Sequence, residues 1–323
     1  MKKKFVLTLA LVLMVAASLM AATPLEVSGA FKAGYDYTFA STNTAAAAYG
    51  NEANVTFAFA ADFWSLEIGG AVTYGEEKAL TEATAEIFLD KALAEKGVDL
   101  EDITLSLHVG TGVSADATTV FADKGELSSG LSGAGVDNVG ITLGYAELFE
   151  LYASVEPIST SLPMVVGVKF MPVDGVDAAV GYTNNGNGII VSAAADVASL
   201  VGLEDIALAA SVEDIYLVDA KTNELNVDVA TEVKGIGLWA AYQLKGSDNA
   251  AAAEASYSTT VSDFDLSAAF AVAMPDVLDI DTYTYEVSGG AEYAMGGVTY
   301  ALDGAFDITA KSFTLSPSVS IAF

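Results

Sequence analysis

The sequence contains no cysteine and no arginine, and its only histidine is His108. The absence of cysteine excludes disulfides, thiolate metal sites and thiol nucleophiles. The 323-residue chain has 13 basic residues, all of them lysine, against 43 acidic residues, which gives a formal net charge of -30. Nucleic-acid binding requires a basic surface, so we expect no nucleic-acid partner.

Long apolar runs are also scarce, and the only one covers about residues 5–20. Three lysines precede this run and Ala21 and Ala22 follow it, a pattern typical of a secretory signal peptide. We therefore expect residues 1–22 to form a signal peptide and residues 23–323 to form the mature chain. No later run reaches the roughly 20 apolar residues of a membrane-spanning helix. The chain is nevertheless 53% hydrophobic, so many apolar side chains need a place outside an ordinary core.

Apolar and polar residues alternate with a period of two along most of the mature chain. In the first run Val27 and Phe31 alternate with Ser28 and Lys32. Tight turns and longer polar links alternate between successive runs, as in barrels that have short turns on one side of a membrane and loops on the other. Lipid accepts one face of every strand and water the other. The pattern predicts an all-β fold, a closed antiparallel transmembrane β-barrel.

The number of strands depends on the region between residues 75 and 137. Both chain ends should lie on the same side of the membrane, which requires an even number of strands. If Ile103 to Val109 is outside the wall, the barrel has sixteen strands. If a further strand lies near Thr118 to Ala122, it has eighteen.

The same region, a predicted long loop over residues 75–137, contains the one helical pattern. Leu80, Ala83 and Ile87 are roughly helically spaced, and Gly97 is a suitable stop. These residues predict one short helix over about 79–96. Two interpretations remain open: a loop helix packed on the surface strands, or a loop folded into the lumen as a constriction.

The last run, from Phe313 to Phe323, alternates apolar residues with serine and threonine and ends on an aromatic residue. It resembles the C-terminal strand of bacterial outer-membrane proteins, whose terminal phenylalanine is read by the barrel-assembly machinery. The resemblance implies that Phe323 is an assembly signal. The mature length, the strand number and the long loop also resemble the general porins in architecture, which implies a bacterial outer-membrane location, contact with outer-membrane lipid and a possible homotrimer. Such porins usually line their constriction with arginines facing acids, so their electrostatics cannot be carried over to a chain without arginine.

The phase of the alternation predicts which charged residues face the lumen, because the apolar set must face lipid. The predicted pore-lining residues are Glu26, Lys32, Asp36, Glu67, Glu150, Glu156, Lys169, Asp177, Asp196, Asp228, Glu232, Glu254, Glu286, Glu292, Asp303 and Asp307. Two further lysines, Lys234 and Lys245, are also expected to face the lumen.

Carboxylates dominate this predicted lining, and they would attract cations and repel anions. We therefore expect a passive channel for ions and small hydrophilic solutes that prefers cations. Two alternatives stay open: a structural or adhesive surface barrel without significant conductance, and a soluble secreted β-sandwich or β-solenoid, which also has one buried face. We expect no enzyme, because His108 should face the lumen whereas barrel hydrolases need a Ser–His pair facing lipid. We also expect no cofactor and no metal.

Overall fold

The structure is a computed structural model that describes residues 25–40, 46–73, 79–110, 139–157, 159–203 and 206–322. Within these ranges the chain forms eighteen strands, two short α-helices and one 3₁₀ turn at Ile280–Thr282. The strands are β1 (Leu25–Ala40), β2 (Ala46–Ala61), β3 (Trp64–Thr73), β4 (Ala79–Phe88), β5 (Ile103–Val109), β6 (Val139–Tyr145), β7 (Phe149–Val155), β8 (Met164–Val173), β9 (Val176–Thr183), β10 (Gly188–Asp196), β11 (Ala207–Leu217), β12 (Thr222–Val233), β13 (Ile236–Lys245), β14 (Asp248–Val261), β15 (Phe264–Met274), β16 (Thr284–Met295), β17 (Val298–Asp307) and β18 (Ser312–Ala322). The helices are α1 (Leu89–Ala94) and α2 (Val197–Val201).

Each strand pairs antiparallel with its neighbours in sequence, and β1 also pairs with β18. This last pairing places Phe31 opposite Ile321 and Phe39 opposite Phe313. The sheet therefore closes on itself and has no free edge. The predicted closed antiparallel barrel is confirmed. The described strands number eighteen, the larger of the two predicted numbers, but this number includes β4, a segment that was predicted as a helix.

The two faces of the wall differ in exposure along β7. Leu151 is 53% exposed, whereas the next residue, Tyr152, is 3% exposed and Ser154 is 4% exposed. Because the wall is one sheet thick, the buried side chains of this alternation point into the barrel and the exposed ones point away from it. Large apolar side chains such as Phe31, Val229 and Leu302 lie on the outer face.

The connections lie at two ends of the barrel, which we call the terminal end, where β1 begins and β18 ends, and the loop end. Six terminal-end connections have two or three residues: 62–63, 146–148, 174–175, 234–235, 262–263 and 296–297. Lys234 and Gly235 both have positive φ, and so do Gly296 and Gly297. Two successive positive φ values are the backbone of a type I′ hairpin turn, whose twist matches that of the flanking strands.

The prediction of a helix over about residues 79–96 is wrong for most of its length. Residues 79–88 form β4, which pairs with β3 on one side and β5 on the other, and the helix α1 covers only Leu89–Ala94. Leu80, Ala83 and Ile87 are helically spaced. The residues from Ala83 to Ile87 also alternate between apolar and polar, and pairing on both sides favours the strand.

Strand β5 lies in the wall, and α1 lies in the connection between β4 and β5 at the terminal end. The predicted long loop over 75–137 is thus interrupted by two wall strands, and residues 79–96 are not a loop folded into the lumen. The other predicted strand, near Thr118 to Ala122, lies outside the described residues, as do the predicted signal peptide and Phe323.

The short helices belong to the ends of the barrel. The side chain of Asp196 caps α2 by accepting a hydrogen bond of 3.0 Å from the backbone N–H of Ser199, which satisfies one of the free donors of the first turn. None of the helices in the described ranges is long and apolar enough to cross a membrane.

The turn at Gly235 yields a test of the hairpin geometry. Gly235 has a φ of +80°, and a Cβ placed there would lie 2.3 Å from the carbonyl oxygen of Ser258. The carbonyl oxygen of Gly235 also accepts a 2.8 Å hydrogen bond from the backbone N–H of Ser258, which holds the two segments close together. We expect Gly235→Ala to lower the free energy of unfolding, measured by urea titration of the folded barrel in lipid vesicles.

Gly246→Ala is the matched control, because Gly246 has a φ of +64° and open space around the position of a Cβ. Gly246→Ala should lower the free energy of unfolding only by the strain of the left-handed backbone conformation, about 1–2 kcal/mol. Gly235→Ala should lower it by more, because the clash with the carbonyl oxygen of Ser258 is added to this strain. Equal losses in the two variants would contradict the close approach of Ser258.

Candidate functional site: the inner face of the barrel

The strand register places fifteen of the sixteen predicted pore-lining residues on the inner face of the wall. These are Glu26, Lys32, Asp36, Glu67, Glu150, Lys169, Asp177, Asp196, Asp228, Glu232, Glu254, Glu286, Glu292, Asp303 and Asp307. Asp196, the cap of α2, lies at the terminal-end rim.

Two of the residues expected to face the lumen lie elsewhere. Glu156 follows β7 in a loop-end connection, where its backbone N–H donates to the carbonyl oxygen of Pro163 at 2.9 Å. Lys234 lies in the turn between β12 and β13. In both cases the alternation predicted from the sequence continues one residue beyond the end of the strand.

A buried polar network on β11, β12 and β13 was not predicted. Its centre is Glu224, which is 1% exposed. The side-chain amide of Gln243 donates to Glu224 Oε1 at 3.2 Å and to Asn226 Oδ1 at 3.0 Å. The Asn226 amide donates in turn to Glu213 Oε1 at 3.1 Å. These hydrogen bonds fix two carboxylates and two amides in one arrangement at the loop end of the wall.

Lys245, which was expected on the inner face, completes this network. Its Nζ lies 3.0 Å from Glu224 Oε2, and the lysine side chain is 50% exposed while that of Glu224 is 1% exposed. A buried carboxylate requires a cation or several donors, and here it has both. The sequence pattern does not identify Glu224 as a lumen residue because it lies between a polar link and the apolar run that begins at Leu225, although the even-numbered phase of β12 extends to it.

Asp228 lies further from the loop end of the same strand. Its Oδ1 accepts a hydrogen bond from the Ser211 hydroxyl, and its Oδ2 accepts one from the indole N–H of Trp239 at 3.2 Å. Asp228 therefore connects three neighbouring strands and holds one edge of the indole of Trp239 toward β12.

An apolar cluster occupies another part of the inner face, near the loop end of β7 to β11. Tyr152, Val165, Ile190 and Ile215 are each at most 3% exposed and pack together with Leu217. The ring of Tyr152 lies over Gly167, where a Cβ would be 2.3 Å from the tyrosine hydroxyl oxygen. This sector of the wall is packed with side chains, so the lining of the lumen is not uniformly polar.

Among the recesses bordered by described residues of the inner face, two each have a volume of about 230 Å³. The first is bordered by Asp177, Asp196, Ser211 and Asp228 together with alanines of β10, β11 and β12. The second is bordered by residues of β13 to β16. Its lining residues are Trp239, Ala252, Ala253, Glu254, Ala271, Val272, Ala273, Thr284 and Glu286.

His108 faces the lumen, as its even position predicted. Its Nε2 lies 2.9 Å from the Ser106 hydroxyl oxygen and 3.0 Å from that of Thr142, and its Nδ1 lies 3.7 Å from Glu86 Oε1. Serine, histidine and a carboxylate in this order are typical of nucleophilic hydrolases, in which the carboxylate accepts a hydrogen bond from Nδ1. A distance of 3.7 Å is too long for that bond. The arrangement does not orient the imidazole as such an enzyme requires.

Comparison with solved structures shows a porin-like fold. The structure is similar to OccD3 (OpdP) of Pseudomonas aeruginosa with a TM-score of 0.59 and 12% identity, over 94% of this chain and 93% of that chain. It is similar to OccK8 (OprE) of the same species with a TM-score of 0.55 and 10% identity, over 93% and 98% of the two chains. A mutant of the Rh. blastica porin gives a TM-score of 0.51 and 11% identity, over 93% and 100%.

No protein-family model matches the sequence, and no curated protein matches it. The predicted architectural resemblance to porins is confirmed by the solved structures. At these identities the likeness concerns the fold.

The network around Glu224 yields a test by replacement and rescue. We expect Lys245→Met to destabilise the barrel by about 1–3 kcal/mol, because a buried carboxylate then loses its cation. This is less than the 3–5 kcal/mol of a fully buried pair, since water reaches the half-exposed lysine. Urea titration in lipid vesicles measures the loss.

The double variant Lys245→Met/Glu224→Gln serves as the rescue, because the glutamine amide carries no charge and keeps the shape of the glutamate. It should recover most of the stability lost in Lys245→Met. A double variant as unstable as the sum of the two single variants would show that the ion pair does not matter.

Proposed function

We propose that this protein is an outer-membrane channel for passive diffusion of ions and small hydrophilic solutes, and that it prefers cations. The observation that carries the proposal is the distribution of charge on a closed barrel. The outer face presents large apolar side chains, while the inner face carries many more carboxylates than lysines. A wall of this kind is suited to lipid on one side and to water and cations on the other.

The sequence patterns and the apolar outer face support further proposals. The apolar outer face would contact outer-membrane lipid, and Phe323 would be read by the barrel-assembly machinery after export directed by residues 1–22. A homotrimer is a possible assembly. No catalytic role is proposed for His108, because its distance to Glu86 does not fit a triad.

The alternative of a structural or adhesive surface barrel predicts a folded barrel that does not conduct. Reconstitution of the detergent-purified protein into planar lipid bilayers separates the two. Stepwise current increases on insertion support the channel, and a folded protein that inserts without such steps supports the alternative.

Cation preference is tested by reversal potentials in a KCl gradient. We expect a potential of the sign that indicates K⁺ selectivity, and we expect it to shrink as the mean salt concentration rises. The reach of a fixed charge falls from about 10 Å at 0.1 M to about 3 Å at 1 M, so the carboxylates control less of the lumen at high salt. A potential that indicates anion selectivity would contradict the proposal.

The matched variants for this measurement differ only in where they remove negative charge. Glu286→Gln/Asp303→Asn/Asp307→Asn removes three charges from the inner face of β16 and β17 and should reduce the selectivity. Asp62→Asn/Asp174→Asn/Asp263→Asn removes three charges from exposed terminal-end turns and should reduce it less. Equal reductions would place the controlling charges outside the wall.

The cellular location and the assembly signal are tested together. We expect the mature protein in the outer-membrane fraction, soluble only with detergent, and with a gel mobility that changes on boiling as the closed barrel unfolds. Phe323→Ala should reduce the amount of folded barrel in that fraction. Recovery of the wild-type protein from the periplasm without detergent would contradict the location, and undiminished levels of the variant would contradict the signal.

A further inference from the structure

The recess between β13 and β16, which we call the Trp239 recess, has a lining of unusual chemistry. Its polar groups are the carboxylates of Glu254 and Glu286, the hydroxyl of Thr284 and the indole of Trp239. The other inward-facing side chains of its lining are Ala252, Ala271 and Ala273, while Ala253 and Val272 lie in the outward phase of their strands. No lysine lines it. The recess therefore combines negative charge, an aromatic ring and a smooth apolar floor.

The strand register explains how these groups come together. Trp239 lies opposite Glu254, Glu254 opposite Ala271, and Ala271 opposite Glu286, so the indole and both carboxylates lie in one row across four strands. The neighbouring row toward the loop end contains Ala241, Ala252, Ala273 and Thr284. The small side chains of this second row leave an open space, and the larger side chains of the first row form its border.

The orientation of the indole is fixed by a hydrogen bond to β12, the strand on the side of Trp239 away from the recess. The indole N–H donates to Asp228 Oδ2 on β12 at 3.2 Å. The polar edge of the ring is thus held toward β12, and the ring borders the recess on the side of β14. The alanines opposite one another at positions 241 and 252 are buried, which leaves the ring as the large apolar group at this end of the recess.

These groups select for a particular kind of ligand. Two carboxylates favour a positive charge, and an indole binds a cation over its face. The methyl groups of Ala252, Ala271 and Ala273 favour a body of methyl or methylene groups over the water shell of a metal ion. A volume of about 230 Å³ is smaller than the roughly 300–1,000 Å³ of sites for drug-sized molecules, which limits the ligand to a few carbon atoms.

We propose that the Trp239 recess is a binding site for small organic ammonium ions within the lumen. The ammonium group lies between Glu254 and Glu286, and its alkyl groups contact the indole and the alanine floor. The proposal rests on the proposed channel, because the ligand reaches the recess through the water of the lumen. It goes beyond general cation preference, since it separates alkylated ammonium ions from K⁺ and Na⁺.

The test uses the fluorescence of Trp239 in the folded, detergent-purified protein. The chain has two tryptophans, so Trp64→Phe provides a background in which the emission reports Trp239 alone. Choline chloride replaces sodium chloride at constant ionic strength, which keeps the screening of the carboxylates constant. We expect a saturable change in the emission with choline.

Variants in this background assign the change to the recess. Glu254→Gln/Glu286→Gln should raise the half-saturating choline concentration about tenfold or more, because both carboxylates are lost. Asp263→Asn, in the exposed turn of the same β14–β15 hairpin, should leave it unchanged. The heat-dependent gel mobility of each variant verifies that the barrel is folded.

Several outcomes would overturn the proposal: no saturable change with choline, an equal weakening in Asp263→Asn, or saturation by glucose at lower concentrations than choline. The result is independent of conductance. A protein that conducts but shows no saturable choline effect contradicts only the recess proposal. Saturable choline binding by a protein that does not conduct contradicts the proposed channel and retains the site.

Discussion

Closure of the sheet between β1 and β18 is the constraint on which the other features of the molecule depend. It pairs the last free strand edges, so every strand has two neighbours and the sheet presents no open edge. Closure also gives the wall a concave and a convex face. Because side chains alternate between these faces, one choice of phase in each strand decides which side chains point outward and which point into the lumen. The apolar content of an otherwise acidic chain is a consequence of this geometry.

The period-two pattern, together with the apolar content and the alternation of short turns with longer links, predicted the closed antiparallel barrel. It failed where the local sequence suits two structures. The segment that forms β4 contains Leu80, Ala83 and Ile87 at helical spacing. Its residues from Ala83 to Ile87 also alternate between apolar and polar, so the segment satisfies both a helical and an alternating template. Its pairing with β3 and β5 is a long-range interaction that no local window contains. The strand register gives Glu254 and Asp303 the phase that the alternation predicts, while their lining of a pore stays a prediction. The predicted set did not include Glu224, because the start of β12 resembles a loop.

The features of the inner face that depend on neighbouring strands were beyond prediction. The hydrogen bond between Trp239 and Asp228 depends on the register of β12 against β13, and the packing of Tyr152 against Ile190 involves strands separated along the chain. Register follows from turn geometry and from the stagger of the whole barrel. The sequence of each strand predicts which side chains face the lumen. The rows, recesses and networks that these side chains form depend on the register of neighbouring strands, which the separate strand sequences do not contain.

Two sectors of the inner face stabilise their negative charges in different ways. At the loop end of β11 to β13, Glu224 is satisfied within the protein by Lys245 and amide donors. On β16 and β17, Glu286 lies directly opposite Asp307 in the register. Like charges in such positions destabilise a sheet unless water and mobile cations screen them. An inner wall that keeps this pair is stable when hydrated cations occupy the lumen, so the requirement for folding and the proposed selectivity for cations have the same physical origin.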